Sequence, residues 1–325
     1  MKIEYRDNEE LRIDKFLSDQ DIDELYSRTH VHKLIQKNFI KVNGSSIKKS
    51  YKLKFGDIIQ LKFPPEKKVE VIPEKMDIMV LYEDEYLAIV NKPDDLAVHP
   101  APGHPSGTLV NAIMHKFKGN LSSGSHKLRP GIVHRLDMDT SGAIIIAKDN
   151  RTHSLLSKMF QNREIEKIYR AIVAGEPKQQ EATIKTSIDR SKTNRKKMTV
   201  AESGKQAITH YKIIGHYNLF SYLELNLETG RTHQIRVHLS HINCPILGDE
   251  TYSSLKRSLS MLPNHYHKKL KYLRANHLKR QALHAYKIIF EHPINNKKID
   301  VTAPIPEDMK YTLNWLNEFF GNEYM

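Results

Sequence analysis

The chain has 325 residues, with 51 lysines and arginines against 38 acids, a formal net charge of +13 and a single cysteine, Cys244. The length allows one large domain or two smaller ones. The charge favours a polyanion, and nucleic acid over membrane, because the apolar stretches fall far short of the roughly 20 residues that span a bilayer. One cysteine excludes an intrachain disulfide framework and a CxxC metal site. The charged start MKIEYRDNEELRID has no signal-like apolar core. The expectation is a cytoplasmic protein whose large partner is RNA or DNA.

Residues 1–63 read as a small α+β module. Leu11–Leu17 has helical spacing, and Ser27–Asn38 reads as a second helix, with Val31, Leu34 and Ile35 on its apolar face. Its basic residues, Arg28, Lys33 and Lys37 among them, are candidate phosphate contacts, with a solvated lysine face as the alternative. Phe39–Val42 predicts a strand entering an Asn43-Gly44 turn, and Lys52–Phe63 predicts strand, Gly-Asp turn, strand. This order of elements resembles the RNA-binding domain named after a small-subunit ribosomal protein, the S-four type. The proline- and charge-rich residues 64–75 read as an extended linker.

Residues 76–325 have the composition of a globular core. Ile78–Tyr82 and Leu87–Asn91 read as strands, followed by the stiff, proline-rich loop NKPDDLAVHPAPGH and a helix over Thr108–Lys116. GNLSSGSH imitates a phosphate loop but lacks the Lys-Ser/Thr pair, so no ATP site is expected. Arg151–Arg163 predicts a helix and Lys167–Ala174 a strand carrying Tyr169. Thr183–Val200 predicts a mobile hairpin whose Arg190, Lys192, Arg195, Lys196 and Lys197 have little apolar support and suit phosphate contact. His210–Tyr217 and Phe220–Glu228 read as strands, the second running into TGRTHQIRVHL, a turn and helix with Arg231 at the junction. Residues 256–280 form a second basic cluster. His284–His292 and Ile299–Ala303 predict strands, and Pro306–Phe320 a terminal helix. His233, His238 and His241 have no HExxH pattern or companion carboxylate, so no metal is expected.

The chemically loaded stretch is Gly131–Gly142, GIVHRLDMDTSG, a polar loop before the β-branched run AIIIAK. It puts Asp137 beside a buried strand, where a carboxylate is held rigidly. A salt-bridged turn capped by Asp139 is the structural alternative. The segments NKPDDLAVHP, GIVHRLDMDTSG, KIYRAIVAG, LETGRTHQIRVHLSH, PILGDETY and RQALHA occur in this order. Together they resemble the RluA family of RNA pseudouridine synthases and, with the N-terminal module, its RluD branch.

The resemblance implies an α+β catalytic domain on a mixed, largely antiparallel sheet, and an enzyme that converts uridine to pseudouridine in large-subunit ribosomal RNA. It implies no cofactor and no metal. Asp137 takes the family's catalytic aspartate, Arg231 its basic partner and Tyr169 the tyrosine that stacks on the base. Arg135 fills the space of the flipped nucleotide, His134 adjoins it in the RNA site, and Ile235 and Leu239 wall the pocket. A monomer is expected. Two alternatives stay open: the same reaction on transfer RNA, and a non-catalytic RNA-binding factor in ribosome assembly.

Overall fold

The computed structural model describes residues 1–20, 22, 25, 28–63, 71–101, 103–118, 120–123, 128–194, 197–253, 255–260 and 262–321. The chain divides into two compact units, Met1–Val69 and Glu70–Met325.

The first unit is built from β1 (Lys2–Glu4), α1 (Ile13–Ser18), α2 (Arg28–Gln36), β2 (Ile40–Val42), β3 (Ser45–Ser46) and β4 (Ile58–Leu61). The sheet runs β1-β4-β2-β3. Val31, Leu34 and Ile35 of α2 are buried with Ile13 and Leu17 of α1, as their helical spacing requires. Asn43 and Gly44 both have positive φ, 50° and 80°, the conformation of a tight hairpin turn. The expected hairpin over Lys52–Phe63 is corrected. Lys52 bridges Arg12, and β4 pairs β1 and β2 instead. The Asp57 carboxylate closes this loop by accepting from the Lys54 N–H, the Asn43 amide and the Tyr51 hydroxyl.

Arg28 also differs from expectation. With Arg12 and His32 it surrounds the buried Asp14 carboxylate at 2.8–3.0 Å, tying α2 to α1. Lys33 and Lys37 stay exposed.

The second unit contains β5 (Met79–Glu83), β6 (Leu87–Lys92), α3 (Leu109–Lys116), β7 (Ser141–Ala147), α4 (Asn150–Asn162), β8 (Glu166–Ala174), β9 (Glu181–Arg190), β10 (Met198–Val200), β11 (Lys205–Tyr217), β12 (Phe220–Leu227), α5 (Gln234–His241), α6 (Leu255–Ser260), α7 (Asn264–Asn276), β13 (Leu283–Glu291), β14 (Lys298–Thr302) and α8 (Glu307–Phe320). Ten strands form one sheet in the order β10-β9-β11-β12-β8-β13-β7-β6-β5, with β14 on β13. Every pairing given for this sheet is antiparallel except β7 with β13. The sheet is therefore mixed and largely antiparallel.

That parallel junction holds the end of the Gly131–Gly142 loop. Gly142 has φ +118° and lies against Ala285, whose backbone a Cβ would strike, so only glycine fits. β9 and β10 form the expected basic hairpin, but with more apolar support than the charges suggested. Ile184 and Ile188 are buried where β9 pairs β11. Arg195 and Lys196 lie outside the described residues; Arg190 and Lys192 are exposed and Lys197 is half-buried.

The surrounding cations hold the Asp14 carboxyl below its ordinary range, against the opposing effect of burial. A depressed folded pKa adds stability that is complete above the ordinary carboxyl pKa of about 4 and is lost as pH falls through the folded value. Asp14→Asn should therefore cost the first unit on the order of 2 kcal/mol at neutral pH, since the three partners are partly solvated. The difference from wild type should shrink only below about pH 4. Amide hydrogen exchange of residues 1–63 against pH checks both.

Candidate active site

The loop carrying Asp137 is held by its backbone. The Ile145 N–H donates to Nε2 of His134 at 2.8 Å, and the Thr140 N–H to the Asp137 carbonyl at 3.1 Å. Two buried cations grip the carbonyls on either side of the bend. Nζ of Lys92 donates to the carbonyls of Met138, Leu96 and Pro93 at 2.7–2.9 Å. Nη1 of Arg280 donates to the carbonyls of Asp139 at 3.1 Å and Leu283 at 3.0 Å, while Nη2 binds the Asp308 carboxylate at 3.0 Å. Burial pulls the Lys92 ammonium down to about 7. Gln281 adds a bond to the Thr140 hydroxyl.

The carboxylate of Asp137 opens on a cleft. Its wall comes from the strand-to-helix junction after β12. The Gln234 amide oxygen accepts from the Thr229 hydroxyl at 2.7 Å and the Arg231 N–H at 3.0 Å, and its amide nitrogen donates to the Ile208 carbonyl. His233 turns the chain through φ 56°, and α5 begins.

Arg236, on the first turn of α5, reaches the carboxylate. Its Nη1 donates to Oδ2 of Asp137 at 2.9 Å, while Nε and Nη2 donate to both oxygens of the buried Asp249 at 2.7 and 2.9 Å. Asp249 in turn accepts from the backbone N–H groups of Thr251 and Tyr252. The two carboxylates raise the Arg236 pKa further and outweigh its burial. His233 stands 3.8 Å from Asp137; burial lowers its pKa and Asp137 partly restores it.

This corrects the assignment of Arg231 as the carboxylate's partner. Arg231 lines the cleft but is exposed, and its Nε donates to the Gln206 carbonyl at 3.1 Å. It precedes the helix, whereas Arg236 lies on the inward face. Arg236, Gln234 and Asp249 are the site residues that sequence reading missed, although GRTHQIR and PILGDETY contain them.

Tyr169, on β8, is 8% exposed and lines the cleft. Burial, with the nearby Asp137 charge, raises its phenol pKa, so it stays protonated. Arg135 and Ile235 also line the cleft. Leu239 does not: it is fully buried in the main core. His134 lines the neighbouring cleft; its Nε2 accepts from the Ile145 N–H, and burial pushes its pKa down to about 3, leaving it neutral. Asp139 is half-buried; burial raises its carboxyl pKa. The fully buried His238 bonds the hydroxyls of Thr209 and Thr186, and burial takes its pKa to about 4.

The family model "RNA pseudouridylate synthase" matches residues 86–241 and the S4 domain model residues 11–59. An uncharacterized RNA pseudouridine synthase of Bacillus subtilis is 39% identical over 92% of this chain and 91% of its own length. The ribosomal large subunit pseudouridine synthase D of Zymomonas mobilis is 39% identical over 82% of this chain and 81% of its own. Among solved structures, human RNA pseudouridylate synthase domain containing 4 superposes with a TM-score of 0.57 at 26% identity, covering 74% of this chain and 93% of that one.

Removing the guanidinium of Arg236 strands the buried Asp249. Arg236→Ala should destabilise the second unit by about 3–5 kcal/mol. Arg231→Ala, at an exposed site, should change stability by less than about 1 kcal/mol. Urea unfolding followed by the fluorescence of Trp315 separates the two arginines.

Proposed function

Because the chain belongs to the RluA family of RNA pseudouridine synthases, we propose that Asp137, Arg236 and Tyr169 form its catalytic centre and that its targets are uridines of large-subunit ribosomal RNA. The observation that carries the site is the Asp137 carboxylate, held at 2.9 Å by an arginine anchored on a second buried acid, in a cleft shared with Tyr169. The ribosomal target follows the name of the relatives that align along most of the chain.

The reaction breaks the C1′–N1 bond of uridine, turns the base and rejoins it through C5. It imports no group and changes no oxidation state. An ionised carboxylate at the sugar supplies what the step needs, either as nucleophile at C1′ or as the group that stabilises positive charge there on a glycal route. Arg236 donates to that carboxylate at 2.9 Å and fixes its direction in the cleft. The target nucleotide must leave its stack, at a cost of roughly a few kcal/mol. The Tyr169 ring receives the extruded base, and its protonated phenol suits stacking and hydrogen-bond donation better than proton abstraction. Arg135 fills the space that the flipped nucleotide leaves, and Arg231 stands at the rim, where the RNA backbone enters.

In this reading residues 1–63 form the RNA-binding domain, 64–75 the linker and 76–325 the catalytic domain. Lys33 and Lys37 on α2, and Arg190, Lys192 and Lys197 on the hairpin, contact phosphates. The enzyme acts as a monomer in the cytoplasm. Among the described residues, no helix is long and apolar enough to cross a membrane.

Release of tritium from C5-labelled uridine in large-subunit ribosomal RNA tests the assignment. Wild type should release it, and Asp137→Asn should lose at least about a thousandfold in rate while keeping RNA affinity within a few-fold. Turnover by Asp137→Asn removes the aspartate from the mechanism, and release from transfer RNA alone overturns the target. Tight, salt-sensitive binding without release from any RNA favours the assembly-factor reading. Deleting residues 1–63 should weaken binding and flatten its salt dependence, by about 0.7–0.9 in the log–log slope for each phosphate that the module neutralises. Unchanged binding would make that module a spectator.

A further inference from the structure

Beside the catalytic cleft lies a second one that the chemistry above does not use. The two share Arg135, Tyr169 and Arg231, and the second extends over Arg163, Phe160 and Lys167. Lys167 precedes Tyr169 by two residues on β8, so both side chains leave the same face of the sheet, about 6.8 Å apart along the strand. Lys167 is 9% exposed. Its ammonium lies 5.8 Å from the centre of the Phe160 ring, and among the described residues no carboxylate forms an ion pair with it. The cleft's acid, Glu228, is already held by Arg163 at 2.9 Å and His210 at 2.8 Å. Burial and the like charge of Arg163 both lower the Lys167 pKa, the mark of a cation lacking its counter-charge.

A buried cation without a carboxylate, opening into a cleft that adjoins the reacting carboxylate, is arranged to receive an anion. We infer that Lys167 binds the RNA phosphodiester next to the target uridine, making the second cleft a subsite for the flanking nucleotide. The contact anchors the strand one backbone repeat from the base that Tyr169 receives. Extrusion of that base is then coupled to the replacement of water around the ammonium by a phosphate. This rests on Asp137 and Tyr169 marking the catalytic centre.

The test uses the full chain with Lys167→Met, which keeps length and packing against Phe160 but removes the charge, and Lys167→Arg, which restores it. Binding to large-subunit ribosomal RNA is measured against salt, in the Asp137→Asn background so that no substrate is consumed. Lys167→Met should weaken binding about tenfold and lower the log–log salt slope by about 0.7, and Lys167→Arg should recover most of both. On a short RNA spanning the modified uridine, each phosphate is then replaced in turn by a neutral methylphosphonate. One replacement flanking that uridine should weaken the Lys167 protein about tenfold and leave the Lys167→Met protein unchanged. Additive losses at every position, or an unchanged salt slope with a lowered Tm, would overturn the subsite and leave Lys167 a packing residue. Turnover by Asp137→Asn would instead strike the catalytic assignment, and the binding readout would still report on Lys167.

Discussion

The proposed role of Asp137 at a sugar carbon demands a carboxylate with a fixed direction. Arg236 supplies that direction through one hydrogen bond at 2.9 Å, and the arrangement around it follows. A guanidinium that bonds one acid only weakly would itself be poorly fixed. Here two of its nitrogens are locked on Asp249, which backbone N–H groups hold in turn. The third points at Asp137 with its direction already set. Breaking a buried pair of this kind is far more costly than its net contribution to stability. The triad therefore specifies geometry more than it adds stability.

The same division recurs beneath the loop. Lys92 and Arg280 bind main-chain carbonyls, so they fix where the Asp137 segment runs without approaching its carboxylate. Both are almost fully buried, at 0% and 6% exposure. Arg280 is itself neutralised by Asp308 at 2.7 Å, so the work of the pair is to position the loop.

Much of this is legible in the chain. The alternation of KIYRAIVA and the β-branched run AIIIAK mark strands β8 and β7 close to their true bounds, and Asn43-Gly44 marks its turn. The pocket's Asp137, Tyr169 and Arg135 follow from motif order. What is not legible depends on pairings between residues far apart in sequence. Arg231 and Arg236 both stand in GRTHQIR, and spacing alone does not say which faces inward. The left-handed turn at His233 sets the phase of the helix, and nothing in the residue type announces it. Asp249 is recognisable as an anchor only once Arg236 is seen against it. β1 is three residues long and is made a strand by β4, not by its own pattern. α7 buries only Leu270 and Leu273 among charges, too thin a stripe to read as a helix.

The parallel junction of β7 with β13 joins residues far apart in the chain. The Ser141 hydroxyl meets the His284 ring across 143 positions, and Arg280 reaches Asp139 across 141. Contacts of such range form late, because a long loop must close before they contribute. On the ribosome, the Asp137 loop leaves the exit tunnel well before the strand that fixes it. The nascent chain thus carries its chemistry-bearing residues without their geometry until the C-terminal strands are made. An enzyme translated amid ribosomal RNA gains the geometry of this loop only once β13 has emerged.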